Sequence, residues 1–432
     1  MLEYLHLKNV GPTPEMEMAL ASRLNLITGD NGLGKSFLLD VAWWALTRRW
    51  PHDINPKLTS GYAARPANVK EDASIEFRLT SERSYLSEYV PRDESWVGKA
   101  GRPFKSGLVV YAHADGGFSI WDPARNYWKK KGSIDVQDRL PGYIFSAREV
   151  WDGLEVDVDG KPTTVCNGLI RDWASWIREK GDNAAQMSAV MSNLAPEGES
   201  LVPGPLMRLS VNDARDIPSI RTAYAEAVPI LYASAGIRRI VGLAYMLLWA
   251  WIEHDLAARL LGEERTSQVV VLFDEIESHL HPRWQRSILK SVLHIADMLQ
   301  LKSAIQLIAA THSPLILASA EPLFDSRTDA WFDLDLERRD TSSEVVLRRR
   351  EFVRRGDVSN WLTSEAFDLK EPRSIEAEEV IVKARELLRR KENPTVTEAQ
   401  EVDALLHRAA LPDIDPFWVR WGAFLERLGA NR

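Results

Sequence analysis

Residues 24–36 read Leu-Asn-Leu-Ile-Thr-Gly-Asp-Asn-Gly-Leu-Gly-Lys-Ser, and their order decides the fold. An apolar strand, Leu24–Thr28, runs straight into a glycine-rich loop, and a helical pattern follows from Ser36 to Arg49. Gly29–Ser36 fits G-x-x-x-x-G-K-[ST], with the strand before it and the helix after it that the motif requires. Gly29, Asn31, Gly32 and Gly34 let the backbone curl, so that amide N–H groups surround a phosphate at the helix N-terminus. Lys35 then reaches the β- and γ-phosphates, and the Ser36 hydroxyl ligates Mg²⁺. The expected ligands are ATP and Mg²⁺.

Working outward, Val269–Phe273 is an apolar run without alternation, as in the centre of a parallel sheet. It ends in Asp274 and Glu275. After an isolated strand such a pair is commonly a helix N-cap. Behind a phosphate loop, Asp274 reads as a second Mg²⁺ contact and Glu275 as the group that orients or deprotonates the attacking water. Ala309-Ala310-Thr311-His312-Ser313-Pro314 closes the next strand and aims His312 toward the ligand crevice, where it would sense the γ-phosphate or hold the water. Between the loop and the Asp-Glu strand lies Ser234-Ala235-Gly236, at the start of a long helix. Ser234 and Gly236 there make an anion site from hydroxyl, amides and helix dipole.

The remaining chain sets limits. With 432 residues, a net charge of −8 and 45% hydrophobic residues, this is a globular chain with no whole-surface nucleic-acid coat. One cysteine, Cys166, excludes a disulfide framework. The N-terminus has no basic or apolar leader, and the apolar run Ile240–Ile252 is short for a bilayer. These features predict a cytoplasmic protein without a membrane partner. The expected organisation is an ATPase-head N-terminal half (1–80), an inserted lobe rich in Gly-Gly and Pro-Gly breaks (81–224), a head C-terminal half (225–350) and a helical C-terminal region (351–432). Arg348–Arg350 reads either as a solvated face or as a contact for nucleic acid or a partner, and Trp418, Trp421 and Phe424 as a candidate docking face.

The four motifs in this order, with a split head, resemble the ABC ATPase superfamily, particularly its SMC and RecF-like branch. "LFDEIESHLHPRWQ" followed by "ATHSPLIL" resembles the bacterial ATPases of the overcoming-lysogenisation-defect kind. The resemblance spans 1–80 and 225–335. It implies an α/β head with a mixed sheet and flanking helices, with Gly29–Ser36 as Walker A. Ser234–Gly236 becomes the signature loop, Asp274 the Walker B acid, Glu275 the base, His279–Pro282 the D-loop and His312 the switch histidine. The signature carries Arg238 and Arg239 where the family has further glycine, and either arginine would act from the opposite subunit. For the Q-loop, Gln137 and the segment Phe145–Trp151 are the candidates.

No coiled-coil arm is present, and the residues after Arg348 are too few and too helical for a Toprim nuclease. The resemblance therefore implies the ATPase subunit of a two-component antiphage system of the Septu kind. Such a subunit dimerises, or forms a higher homo-oligomer, through its heads and works with a separate HNH nuclease, with DNA or RNA as a further candidate partner. A DNA repair or recombination ATPase, or a nucleotide-locked scaffold, is the alternative.

Overall fold

The computed structural model describes all residues except 81, 99–105, 127–138, 159, 200, 223–224, 299–303, 340–341, 391–393, 410 and 430–432. Gln137, a Q-loop candidate, lies outside the described residues. Two units divide the chain, Met1–Gly356 and Asp357–Arg432.

Every residue of strand Leu24–Gly29 is buried, because it lies inside an eight-stranded sheet. The order across that sheet is Ser342–Arg350, Asp329–Arg339, Leu24–Gly29, Ala304–Ala310, Gln268–Phe273, Leu108–Ala112, Phe118–Trp121 and Tyr143–Phe145. The five strands from Asp329–Arg339 to Leu108–Ala112 run parallel, and the outer pairings are antiparallel, so the sheet is mixed. Val271 faces Leu307 on one side and Val110 on the other, which accounts for the unbroken apolar run.

Helix Lys35–Thr47 buries ten of its residues, including Leu38, Leu39, Trp43 and Trp44. Burial all round a helix means apolar packing on more than one side. The second partner is a five-stranded antiparallel sheet in the order Glu15–Ala19, Leu2–Lys8, Ser74–Leu79, Tyr85–Val90, Ser95–Gly98. Leu5, Phe77, Trp43 and Val270 share one apolar core, so helix and both sheets form a single packed layer system. Gln306 staples the sheets: its side chain accepts from the Leu2 amide (2.9 Å) and donates to the Leu2 and Ala21 carbonyls (2.7 and 2.8 Å).

The segment 81–224 divides among three places. Tyr85–Val90 and Ser95–Gly98 complete the antiparallel sheet, and Leu108–Ala112, Phe118–Trp121 and Tyr143–Phe145 complete the central one. Among the described residues, only the part after Ala147 builds structure of its own: the hairpin Leu154–Val158/Lys161–Cys166, helices Gly168–Glu179 and Asp182–Leu194, and a small three-stranded sheet ending at Ala225–Pro229. Short buried strands between glycine turns carry too few residues to display a period, which is why this stretch reads as a separate lobe.

Helix Ala235–Leu261 is 27 residues long and apolar enough to cross a membrane by length and composition. Within the fold 72% of its most apolar window is buried, as in a core helix. The arginine run is internally compensated: Arg348 pairs with Asp335 (3.2 Å) and Arg350 with Asp333 (3.2 Å) along strand Ser342–Arg350.

In the second unit, helices Ile375–Arg389, Val396–Arg408 and Phe417–Arg427 enclose their own core. Ser374 caps the first of these helices, and Thr395 with Glu398 forms a capping box on the second. Trp418, Trp421 and Phe424, expected to dock a partner, are 8%, 0% and 8% exposed and belong to that core. A helical spacing of aromatics marks the buried stripe as readily as a docking face.

Candidate active site

Parallel pairing brings the C-terminal ends of Leu24–Gly29, Gln268–Phe273 and Ala304–Ala310 to one sheet edge, where open α/β sheets hold ligands. Gly29 leaves the sheet with φ 134°, and a Cβ there would lie 2.2 Å from the Leu334 carbonyl oxygen. Only glycine permits that exit. Asn31 and Gly32 are exposed at the loop tip, and Gly34 precedes the helix.

Lys35 is 5% exposed, and its Nζ donates to the carbonyls of Gly29 (2.6 Å) and Asp30 (2.8 Å). Burial lowers its ammonium from 10.5 to about 8, against the pull of Asp274, Asp30, Glu275 and Glu277 in the other direction. Ser36 hydrogen-bonds the Asp274 carboxyl, and the Asp274 amide is anchored on the Ala112 carbonyl at 2.9 Å. Burial raises the Asp274 carboxyl above the usual carboxylate range, while Ser36, Lys35 and Arg239 favour its charged form. An acid held this way is prepared for a cation. The oxygen donors of Ser36 and Asp274 suit a hard ion such as Mg²⁺. No group of three or more His, Cys, Asp or Glu side chains that could hold a metal occurs among the described residues, so nucleotide phosphates and water would have to complete the shell.

Glu275 takes a left-handed backbone, φ 48°, and its Oε1 lies 4.0 Å from His312 Nε2. Two anchors place His312. Its amide and the Thr311 hydroxyl (2.7 Å) both donate to the Glu277 carboxylate, and its ring donates to the Gly29 carbonyl. Burial, then Lys35, hold its pKa below the usual imidazole value, so the ring is neutral at pH 7. Ser313 adds a bond to Gln285 Oε1 (2.7 Å), tying this turn to helix Pro282–Met298.

Glu277 is thus a clamp on the His312 turn. Burial raises its carboxyl despite the Thr311 and His312 bonds. Glu277→Ala is expected to leave the Thr311 hydroxyl and the His312 amide unpaired, lowering stability by about 1–3 kcal/mol. Denaturant titration of the purified variant checks this, and an unchanged midpoint would remove Glu277 from the clamp.

Asp40 was also missed. It lies one turn beyond Ser36, accepts from the Tyr111 hydroxyl at 2.9 Å, and burial beside Asp274 raises its carboxyl to about 7. Its i+4 spacing from Ser36 on one helix face was the available signal.

Ser234 accepts from the Ile237 amide (3.3 Å) and caps helix Ala235–Leu261. A Cβ on Gly236 would sit 2.7 Å from the His279 carbonyl oxygen, so the expected signature turn packs directly on the expected D-loop. Among the described residues no hydrogen bond or ion pair joins Ser234 or Gly236 to residues 29–36. Arg238 is exposed, whereas the guanidinium nitrogens of half-buried Arg239 are buried; its guanidinium lies over the Phe273 ring (5.6 Å) and in the field of Asp115, Asp274 and Glu275 of its own chain. A role for Arg239 across a subunit boundary does not fit that direction. Of the Q-loop candidates, Phe145–Trp151 forms a strand end and a capped helix whose Glu149 takes bonds from Asn55 and Lys57 (2.6 and 2.8 Å).

Several known proteins are similar to the chain. The family described as "AAA domain, putative AbiEii toxin, Type IV TA system" matches residues 24–318, more than half of the chain. The Septu protein PtuA of Bacillus thuringiensis is 23% identical over 343 residues, 74% of each chain. Among solved structures, an SMC head bound to the C-winged helix domain of ScpA is similar over 81% of this chain and 98% of its own, with 14% identity and a TM-score of 0.43. The SMC head domain from Thermotoga maritima is similar over 81% and 99%, with 15% identity and a TM-score of 0.36. The chain belongs to this AAA-domain family and is similar to the Septu protein PtuA.

Proposed function

We propose that the chain binds Mg²⁺-ATP at Gly29–Ser36, hydrolyses it slowly, and dimerises around it to gate a separate nuclease of the HNH kind in antiphage defence. The observation that carries the nucleotide reading is the junction of Lys35, Ser36 and Asp274: a buried ammonium beside a serine hydroxyl that already holds a buried acid. Lys35 exchanges its carbonyl bonds for phosphate oxygens. Ser36 and Asp274 would hold Mg²⁺, which would supply positive charge to stabilise the phosphates. Glu275, at the open edge, orients water and takes its proton, and neutral His312 fixes the water or the γ-phosphate by hydrogen bonding. The defence role and the nuclease partner rest on the likeness to Septu PtuA.

Sharing of the site between two chains is supported by the exposure of Ser234. Its helix N-terminus can cap a nucleotide held by Lys35 of a second copy, and an isologous interface then creates two composite sites. Complementation tests this. A Lys35→Ala chain and a Ser234→Arg chain, each inactive alone, place both lesions in one site of a mixed dimer and leave the other intact. Partial ATPase activity on mixing is the expected result. Glu275→Gln protein that stays monomeric with ATP at about micromolar concentration would overturn the shared site.

A further inference from the structure

Next to the sheet edge lies a cavity of about 230 Å³, lined among others by Asp115, Gly116, Arg238, Arg239, Gly242 and His279. It is much larger than the roughly 15 Å³ that one ordered water needs. Both terminal nitrogens of Arg239 are buried in its wall without a hydrogen-bond partner. A buried cation left unpaired is costly, and such groups are retained where something else supplies the counter-charge. Asp115, Asp274 and Glu275 all act on Arg239 electrostatically, Asp115 most strongly, yet none is hydrogen-bonded to it, and the Asp115 oxygens are already engaged. Oδ1 accepts from the Gly117 amide (2.8 Å), and Oδ2 accepts from the Thr59 amide (3.2 Å) and hydroxyl. Asp115 therefore moderates the charge of Arg239 without satisfying its fork. The first turn of the 27-residue helix Ala235–Leu261 contributes its positive end to the same wall, and Arg238 stands exposed at it.

We infer that this cavity is an oxyanion pocket, with the Arg239 guanidinium as its anchoring cation and a small phosphate-class anion as its ligand. A guanidinium presents paired donors that match a phosphate or carboxylate edge. The opposing charge of Asp115 weakens the hold on the anion, which suits an ion that enters and leaves. Two sources supply that chemistry: phosphate from solution, or phosphate released at Lys35 nearby. The second source rests on the function proposed above; the pocket does not.

Inorganic phosphate is the probe, titrated against the full chain with thermal unfolding as the readout. The Lys35→Ala background removes the phosphate loop as a competing binder. In that background phosphate is expected to raise the melting temperature, and Arg239→Gln is expected to abolish the rise. Gly242→Leu fills the cavity without touching a charge and should abolish it as well, so the inference survives if one variant fails to fold. A phosphate response that vanishes with Lys35→Ala alone, or that persists in both Arg239→Gln and Gly242→Leu, overturns the pocket. The source is read separately by single-turnover kinetics. If phosphate appears in solution later than ATP is cleaved, and Arg239→Gln removes the delay, the ion comes from the nucleotide; with no delay it comes from solution. Loss of ATP binding in Lys35→Ala would leave the phosphate response intact, so the two readings fail independently.

Discussion

Lys35→Ala is expected to weaken ATP binding by about 100-fold or more. Lys35 is the buried cation whose donors already point at the loop carbonyls, and a hydrogen bond to a charged group contributes about 1.5–3 kcal/mol. Losing the upper end of that range corresponds to about two decades in Kd. Isothermal calorimetry with Mg²⁺-ATP measures it directly. Equal affinities in wild type and variant would show that residues 29–36 do not hold the phosphates.

The same lysine gives the binding a pH signature. In the folded chain it releases its proton near pH 8, and in the unfolded chain near 10.5. Nucleotide affinity should therefore fall as pH rises through 8, because only the ammonium attracts the phosphates. Between pH 8 and 10.5 the unfolded chain holds more protons, so the contribution of Lys35 to stability rises with pH in that window. Affinity and stability move in opposite directions, and Lys35→Ala should remove both trends. Calorimetry at pH 7 and pH 9 beside melting curves at the same values makes the comparison.

Much of the head was readable because its elements leave long, consistent marks. Leu24–Gly29 and Gln268–Phe273 are continuous apolar runs, each ending in a chemical group that parallel pairing carries to the same edge. Helix Ala235–Leu261 announces itself by its length, its Ser234 cap and its terminal Gly262. The segment from 85 to 121 was unreadable for the opposite reason: Leu108–Ala112 is five buried residues, and its place beside Val271 comes from long-range pairing that no local pattern encodes. Side-chain roles divide in the same way. The placement of Lys35, Ser36, Asp274 and His312 at one sheet edge follows from spacing. The clamp of Glu277 on His312, the Tyr111–Asp40 bond and the inward turn of Arg239 depend on contacts between distant segments, and burial decides each of them.

Glu275→Gln is expected to keep ATP affinity within a factor of about two and to slow hydrolysis by about 10²- to 10⁴-fold, the range for a lost general base. Glu275 reaches the site from the end of a strand whose Asp274 amide is already fixed on Ala112, and its left-handed backbone turns it away from the buried face. Gln has the same length and can keep a hydrogen bond to the water, but it cannot take the proton. His312 does not substitute for the lost base: its ring donates to the Gly29 carbonyl, and its neutral form is already favoured by burial and by Lys35. The effect should therefore fall on kcat and leave nucleotide binding in place, the pattern of a group that acts in the transition state. Rapid-quench measurement of a single turnover isolates the chemical step from product release. A cleavage rate within twofold of wild type would show that another group accepts the proton. Glu277 is then a poor replacement, since its carboxylate is occupied by Thr311 and the His312 amide, whereas Asp40, raised to about 7 and so partly ionised at neutral pH, would have to be tested next.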